Sequence, residues 1–87
     1  MLTLKDKFDN LIKQSLKAYF EQLEGENPAS HFYEEVLGLV EKPLIEQTLK
    51  SVDYNQKKAA CLLGINRNTL SKKIKQFNID IKKNVAA

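Results

Sequence analysis

Residues 55–77 read NQKKAACLLGINRNTLSKKIKQF, and the stretch divides into two short helices hinged at one glycine. Gln56-Lys57-Lys58-Ala59-Ala60-Cys61-Leu62-Leu63 is made of good helix formers, and Asn55 stands where an N-cap belongs. Gly64 follows the last apolar residue, in the place of a left-handed residue that only glycine adopts cheaply. Ile65 plugs the turn. Asn66 then caps a second helix that turns Leu70, Ile74 and Phe77 to one side at i, i+4, i+7. Ala60, four residues before Gly64, is small enough for the second helix to cross closely over the first. A small residue, a glycine four later and an apolar residue six after that make the helix-turn-helix pattern.

With Leu70, Ile74 and Phe77 inward, Arg67, Thr69, Ser71, Lys72, Lys73, Lys75 and Gln76 are left for the other faces. These groups donate to phosphates and base edges, and residues 54–79 contain no Asp or Glu. Most Lys-rich helix faces are merely solvated, but a solvated helix has no need of the hinge. Nucleic-acid binding is the expectation.

The rest of the 87 residues supports one small domain, near the size at which a second subunit commonly completes the core. Apolar content of 43% and charged content of 29% are those of a globular protein. The net charge of +3 is unevenly spread. Residues 1–46 hold five Lys and nine acids, net −4, whereas residues 47–87 hold nine Lys or Arg and two acids, net +7. A basic working end on an acidic scaffold follows. Cys61, the one cysteine, cannot form an internal disulfide and is expected to be a small buried core residue. No signal peptide and no apolar run of transmembrane length are read, so a cytoplasmic protein is expected.

From Leu4 to Leu23, Phe8, Leu11, Ile12, Leu16, Tyr19, Phe20 and Leu23 recur at helical spacing, and Gly25 ends the helix. Residues 25–30 form a loop. A second helix is expected from about Ser30 to Ser51, and it is apolar on two sides. Phe32, Val36, Leu39, Val40 and Leu44 make one stripe; Tyr33, Leu37, Ile45, Leu49 and Val52 make its neighbour. The simplest second cover in so small a chain is another copy, giving a two-fold homodimer through residues 4–50; burial on both sides within a monomer is the alternative. Pro43 either bends this helix or breaks it in two. Gly38 reads as a close-packing contact, His31 as structural or exposed, and Tyr54 as packed under the helix-turn-helix. The tail from Asn78 has no pattern and is expected to fray.

This order of parts resembles the Fis family of bacterial nucleoid proteins, whose module also closes activators of the NtrC type. The resemblance runs from about Asp6 to Asp80. Its most specific stretch is Gly64-Ile65-Asn66-Arg67-Asn68-Thr69-Leu70-Ser71-Lys72-Lys73, similar to the family pattern G-I-N-R-x-T-L-x-K-K. Leu16-Lys17-Ala18-Tyr19-Phe20 and Val40-Glu41-Lys42-Pro43-Leu44 also match.

The resemblance implies an all-α, four-helix subunit. Its two N-terminal helices (residues 1–53) would form an intertwined homodimer core, residues 54–78 the helix-turn-helix and residues 79–87 a flexible tail. Phe8, Leu11, Ile12, Leu16, Phe20, Phe32, Val36, Leu39, Val40 and Leu44 would line the dimer core. The two recognition helices would enter adjacent major grooves of double-stranded DNA and lie closer together than one turn of straight duplex, so the DNA must bend. Sequence specificity would be low and partly indirect. Carried over residue by residue, Asn66 and Arg67 read base edges, Arg67 as the bidentate guanine contact, and Lys72 sits at the groove edge. Asn55, Lys57, Lys58, Thr69, Lys73 and Lys75 hold phosphates. Ser71 and Gln76 stand where the family is often basic, and Asn68 where glycine is common. The chain begins almost at the first helix, so invertase activation, a property of an N-terminal arm in Fis, is not expected.

The function expected is thus DNA bending in nucleoid organisation and transcription regulation, located in the cytoplasm at the nucleoid, with RNA polymerase a candidate further partner. A narrow-specificity regulator like the DNA-binding domain of NtrC-type activators, and a helical protein–protein interaction module, are the competing readings. An enzyme is not expected: one His, one Cys, scattered carboxylates and no glycine-rich phosphate loop supply no catalytic cluster. No cofactor, metal, membrane or small-molecule substrate is implied.

Overall fold

The computed structural model describes residues 1–81 and contains four helices: α1, Leu4–Gln22; α2, Phe32–Ser51; α3, Gln56–Leu63; and α4, Arg67–Gln76. No strand occurs among the described residues, and the all-α expectation holds. The chain forms two compact units, one ending at Phe32 and one starting at Tyr33.

In the first unit, Thr3 and Asp6 form a capping box that starts α1: the Thr3 hydroxyl accepts from the Asp6 amide at 3.1 Å, and the Asp6 carboxylate accepts from the Thr3 amide at 3.2 Å. The helix stops before Glu24 and Gly25, both with positive φ (52° and 88°). No residue of α1 is buried. Three rings meet near its C-terminal end: Tyr19 stacks on Phe32 at 5.4 Å, and Phe20 meets Phe32 edge-on at 5.6 Å.

The second unit holds the core. Ile45 and Leu49 of α2, Ala59 and Ala60 of α3, Leu70 and Ile74 of α4, and Ile79 are buried together, with Val52, Tyr54, Leu63, Ile65 and Phe77 packed around them. Pro43 does not break α2, which runs on from Phe32 to Ser51. Of the two apolar stripes on α2, only the C-terminal part of the Tyr33-to-Val52 stripe turns toward the helix-turn-helix. Tyr33 and Leu37 remain exposed. The helix starts at Phe32 rather than Ser30, because His31 takes a positive φ of 69° that no helix continues through.

The residues expected to line the dimer core are left largely uncovered in the single chain. Phe8 is 50% exposed, Leu11 61% and Leu39 74%; Ile12, Phe20, Val40 and Leu44 are also exposed, while Leu16, Phe32 and Val36 are half-buried.

Two expectations need correction. Cys61 is exposed, not buried. At about 100° per residue, Ala59, Ala60 and Leu63 define the inner face of α3, which rotates Cys61 and Leu62 outward. The tail is not frayed at its start, since Ile79 is 7% exposed and part of the core. Asn78 takes the left-handed conformation (φ 54°), letting the Ile79 amide donate to the Ile74 carbonyl at 3.0 Å and the Asn78 amide to that of Lys75 at 3.2 Å. This is the Schellman arrangement, and it folds Ile79 back on Ile74. Residues 82–87, the remainder of the expected tail, lie outside the described residues.

Candidate nucleic-acid interface

The hinge forms by the same chemistry. Gly64 is left-handed (φ 72°, ψ 29°); its amide donates to the Cys61 carbonyl at 3.2 Å and the Ile65 amide to that of Ala60 at 3.1 Å. The chain thus reverses within a single turn, and Ala59 and Ala60 offer no side-chain bulk where α4 crosses. Upstream, Asp53 (φ 56°) and Tyr54 (φ 63°) repeat the motif at the end of α2. There the Tyr54 amide reaches the Leu49 carbonyl at 2.7 Å. Two non-glycine residues in this conformation cost roughly 1–2 kcal/mol each. Burial of Tyr54 against the core offsets that cost.

Both helices of the motif are capped by asparagine. Asn55 Oδ1 accepts from the Lys58 amide at 3.1 Å, and Asn66 Oδ1 accepts from the Asn68 amide at 2.7 Å. The cap uses one lone pair of Asn66 Oδ1 and leaves its Nδ2 donors free for guanine N7 or O6, thymine O4 or a phosphate.

On α4, Leu70 and Ile74 are buried and Phe77 half-buried, as the spacing required. At about 100° per residue, Lys72 lies opposite that stripe, flanked by Asn68, Lys75 and Gln76. All four are exposed, as are Arg67 and Thr69 at the start of the helix. Lys57 and Lys58 are exposed in the first turn of α3. The residues expected to read bases and hold phosphates therefore share the solvent side of one motif, with one exception. Lys73 lies at the border of the buried stripe, and its ammonium is 2.6 Å from the Glu41 carboxylate of α2. Sequence spacing alone did not reveal Glu41; its signal was its place between Gly38 and Ile45 on the same helix face.

The charges are placed against the helices' own dipoles. α1 and α2 carry acids in their first turns, Asp6 and Glu34 with Glu35, where the positive end of the dipole favours them. α3 and α4 carry none there. They present Lys57, Lys58 and Arg67 instead. Each such cation costs about 0.3–1 kcal/mol at a helix N-terminus unless an anion sits beside it. No group of three or more His, Cys, Asp or Glu that could hold a metal ion occurs among the described residues. Nor is any helix there long and apolar enough to cross a membrane.

A short capped helix, a glycine hinge and a second helix with an exposed cationic face define a helix-turn-helix protein. Residues 36–77 match the family model described as bacterial regulatory protein, Fis family. A protein of Ralstonia nicotianae whose name calls it Fis-like and DNA-binding is 43% identical over 75 residues, covering 86% of this chain and 96% of that protein. The DNA-binding protein Fis of Actinobacillus succinogenes is 46% identical over 68 residues, 78% of this chain and 68% of its own. That of Yersinia enterocolitica is 45% identical over 69 residues, 79% and 69% respectively. The chain belongs to the Fis family.

Proposed function

We propose that the protein is a homodimeric DNA-binding regulator that bends duplex DNA with low sequence preference and acts at the nucleoid, in the cytoplasm, in DNA organisation and transcription. RNA polymerase is the further protein such a regulator meets. The observation that carries this reading is the inverted placement of charge: the two helices of the motif hold cations where their dipoles call for anions, and a phosphate beside each start turns that cost into attraction. Arg67 and Asn66 read base edges as donors, Lys72 lies at the groove edge, and Asn55, Lys57, Lys58, Thr69 and Lys75 hold phosphates. Residues 1–53 supply the dimer region. Large apolar side chains exposed on each helix support it, Phe8 and Leu11 on α1 and Leu39 and Leu44 on α2, since clustered exposed apolar residues mark an interaction surface. Two identical motifs then read one duplex, and bending follows if they stand closer than one helical turn. The chemistry is binding, with no catalytic step.

The test is fluorescence anisotropy on short duplexes between 50 and 200 mM salt, in roughly the range where counterion release is steep. A dimer contacting on the order of ten phosphates loses affinity with a slope near −0.9 per phosphate. Random genomic fragments compete well, and Arg67→Ala loses about 1–3 kcal/mol of preference at guanine-flanked sites. A salt-insensitive isotherm, or no complex at low salt, refutes the reading. Resistance to genomic competitor would point to a narrow operator instead.

A further inference from the structure

We infer that Glu41 and Lys73 form a register pin that sets the recognition helix on α2, and that Lys73 serves DNA binding through this pin rather than by holding a phosphate. The inference rests on the proposed role of α4 in DNA binding. Gly38, Glu41, Ile45, Leu49 and Val52 lie at spacings of three and four, one continuous face of α2. Its lower part, Ile45 to Val52, is the apolar seat of the helix-turn-helix. At its upper end, a Cβ on Gly38 would stand 3.3 Å from Phe77 Cε1, so the end of α4 approaches the backbone of α2 there. Between these two contacts sits the Glu41–Lys73 pair, each side chain about one-third exposed (33% and 30%). Lys73 Nζ also lies over the Phe77 ring, 6.0 Å from its centroid and at the outer limit of a cation–π contact.

Leu70, Ile74 and Phe77 recur at one-turn spacing, so a one-turn slip of α4 would still place apolar residues toward Ile45 and Leu49. One turn of slip would set Glu41 against Leu70 or Phe77 and leave a partly buried carboxylate without its cation. A polar pair inside an apolar contact is best attested in this registering role. The outward face, by contrast, already carries Lys72 and Lys75 free in solvent.

The experiment compares Glu41→Gln, Lys73→Gln, their double variant and the swap Glu41→Lys/Lys73→Glu with Lys75→Gln, reading DNA affinity against salt and thermal unfolding without DNA. Each single change at 41 or 73 is expected to weaken DNA binding roughly two- to five-fold, as a partly exposed pair allows. The salt slope should stay at the wild-type value, the double variant should be no worse than either single one, and the swap should recover most of the loss. Lys75→Gln should lower the slope by about 0.9 per subunit. Tighter binding by Glu41→Gln, a slope lowered by Lys73→Gln as by Lys75→Gln, or no recovery in the swap overturns the pin. The melting experiment separates the two levels. Coupling between 41 and 73 there needs no DNA, so its absence refutes the pin alone, whereas failure of the wild-type protein to bind duplex refutes the DNA-binding reading.

Discussion

Replacing Gly64 by alanine tests the hinge on which the motif depends. Gly64 stands at φ 72°, ψ 29°, and a Cβ built there meets nothing within 4 Å. The cost of Gly64→Ala is therefore backbone conformation alone, with no steric contribution. Placing an L-residue in the left-handed region costs roughly 1–2 kcal/mol. Alanine also restricts the unfolded chain, which returns about 0.4–1 kcal/mol where the native angles permit it, and here it only trims the penalty. A net loss near 1 kcal/mol is expected, lowering the melting temperature by about 4–8 °C for a domain of this size. Circular dichroism melts at one fixed protein concentration measure it, since self-association would make the midpoint concentration-dependent. The order of stability should be wild type, then Gly64→Asn, then Gly64→Ala, because asparagine tolerates this conformation better than alanine. DNA affinity of the folded variants should change little, as no contact is added or removed. A neutral or stabilising Gly64→Ala would refute the left-handed hinge; a loss beyond about 3 kcal/mol would show that the space around it is not open.

Ile79→Ala should cost roughly 2–4 kcal/mol by urea unfolding, as for other buried aliphatics, and a loss within about 0.5 kcal/mol would place Ile79 in a frayed tail instead. Asn78→Gly should stabilise by several tenths to about 1 kcal/mol, because glycine takes φ 54° without strain; destabilisation would argue against the Schellman turn. The Cys61 thiol should react with a disulfide reagent at close to the rate of the unfolded chain in native buffer, and protection until unfolding would show it covered. Leu39→Glu, at a residue 74% exposed in the single chain, should leave helix content intact while sedimentation shows monomer; an unchanged dimer would remove Leu39 from the interface.

The helix-turn-helix was legible in the sequence because its signals are local. Asn55, Gly64 and Asn66 each act on backbone groups within a few residues, and those partners are the same in any tertiary setting. The Leu70–Ile74–Phe77 spacing likewise names its buried face without knowing the partner. The outward position of Cys61 has no local signal. In an eight-residue helix with five apolar residues in a row, composition does not say which of them turns outward. Only packing against α4 chooses Ala59, Ala60 and Leu63.

Local propensity and periodicity thus determined the helical character, the hinge and the segregation of cations, since each depends on covalent geometry and near neighbours, whereas the continuity of α2 through Pro43 appears only in the structure. The tertiary structure decided the rest. It selected one of two comparable stripes on α2, drew Ile79 into the core through a left-handed asparagine and turned Lys73 from solvent to Glu41. Those outcomes depend on which distant surfaces meet and in what register. Partners distant in the chain, as Glu41 and Lys73 are, carry no local signal of their pairing.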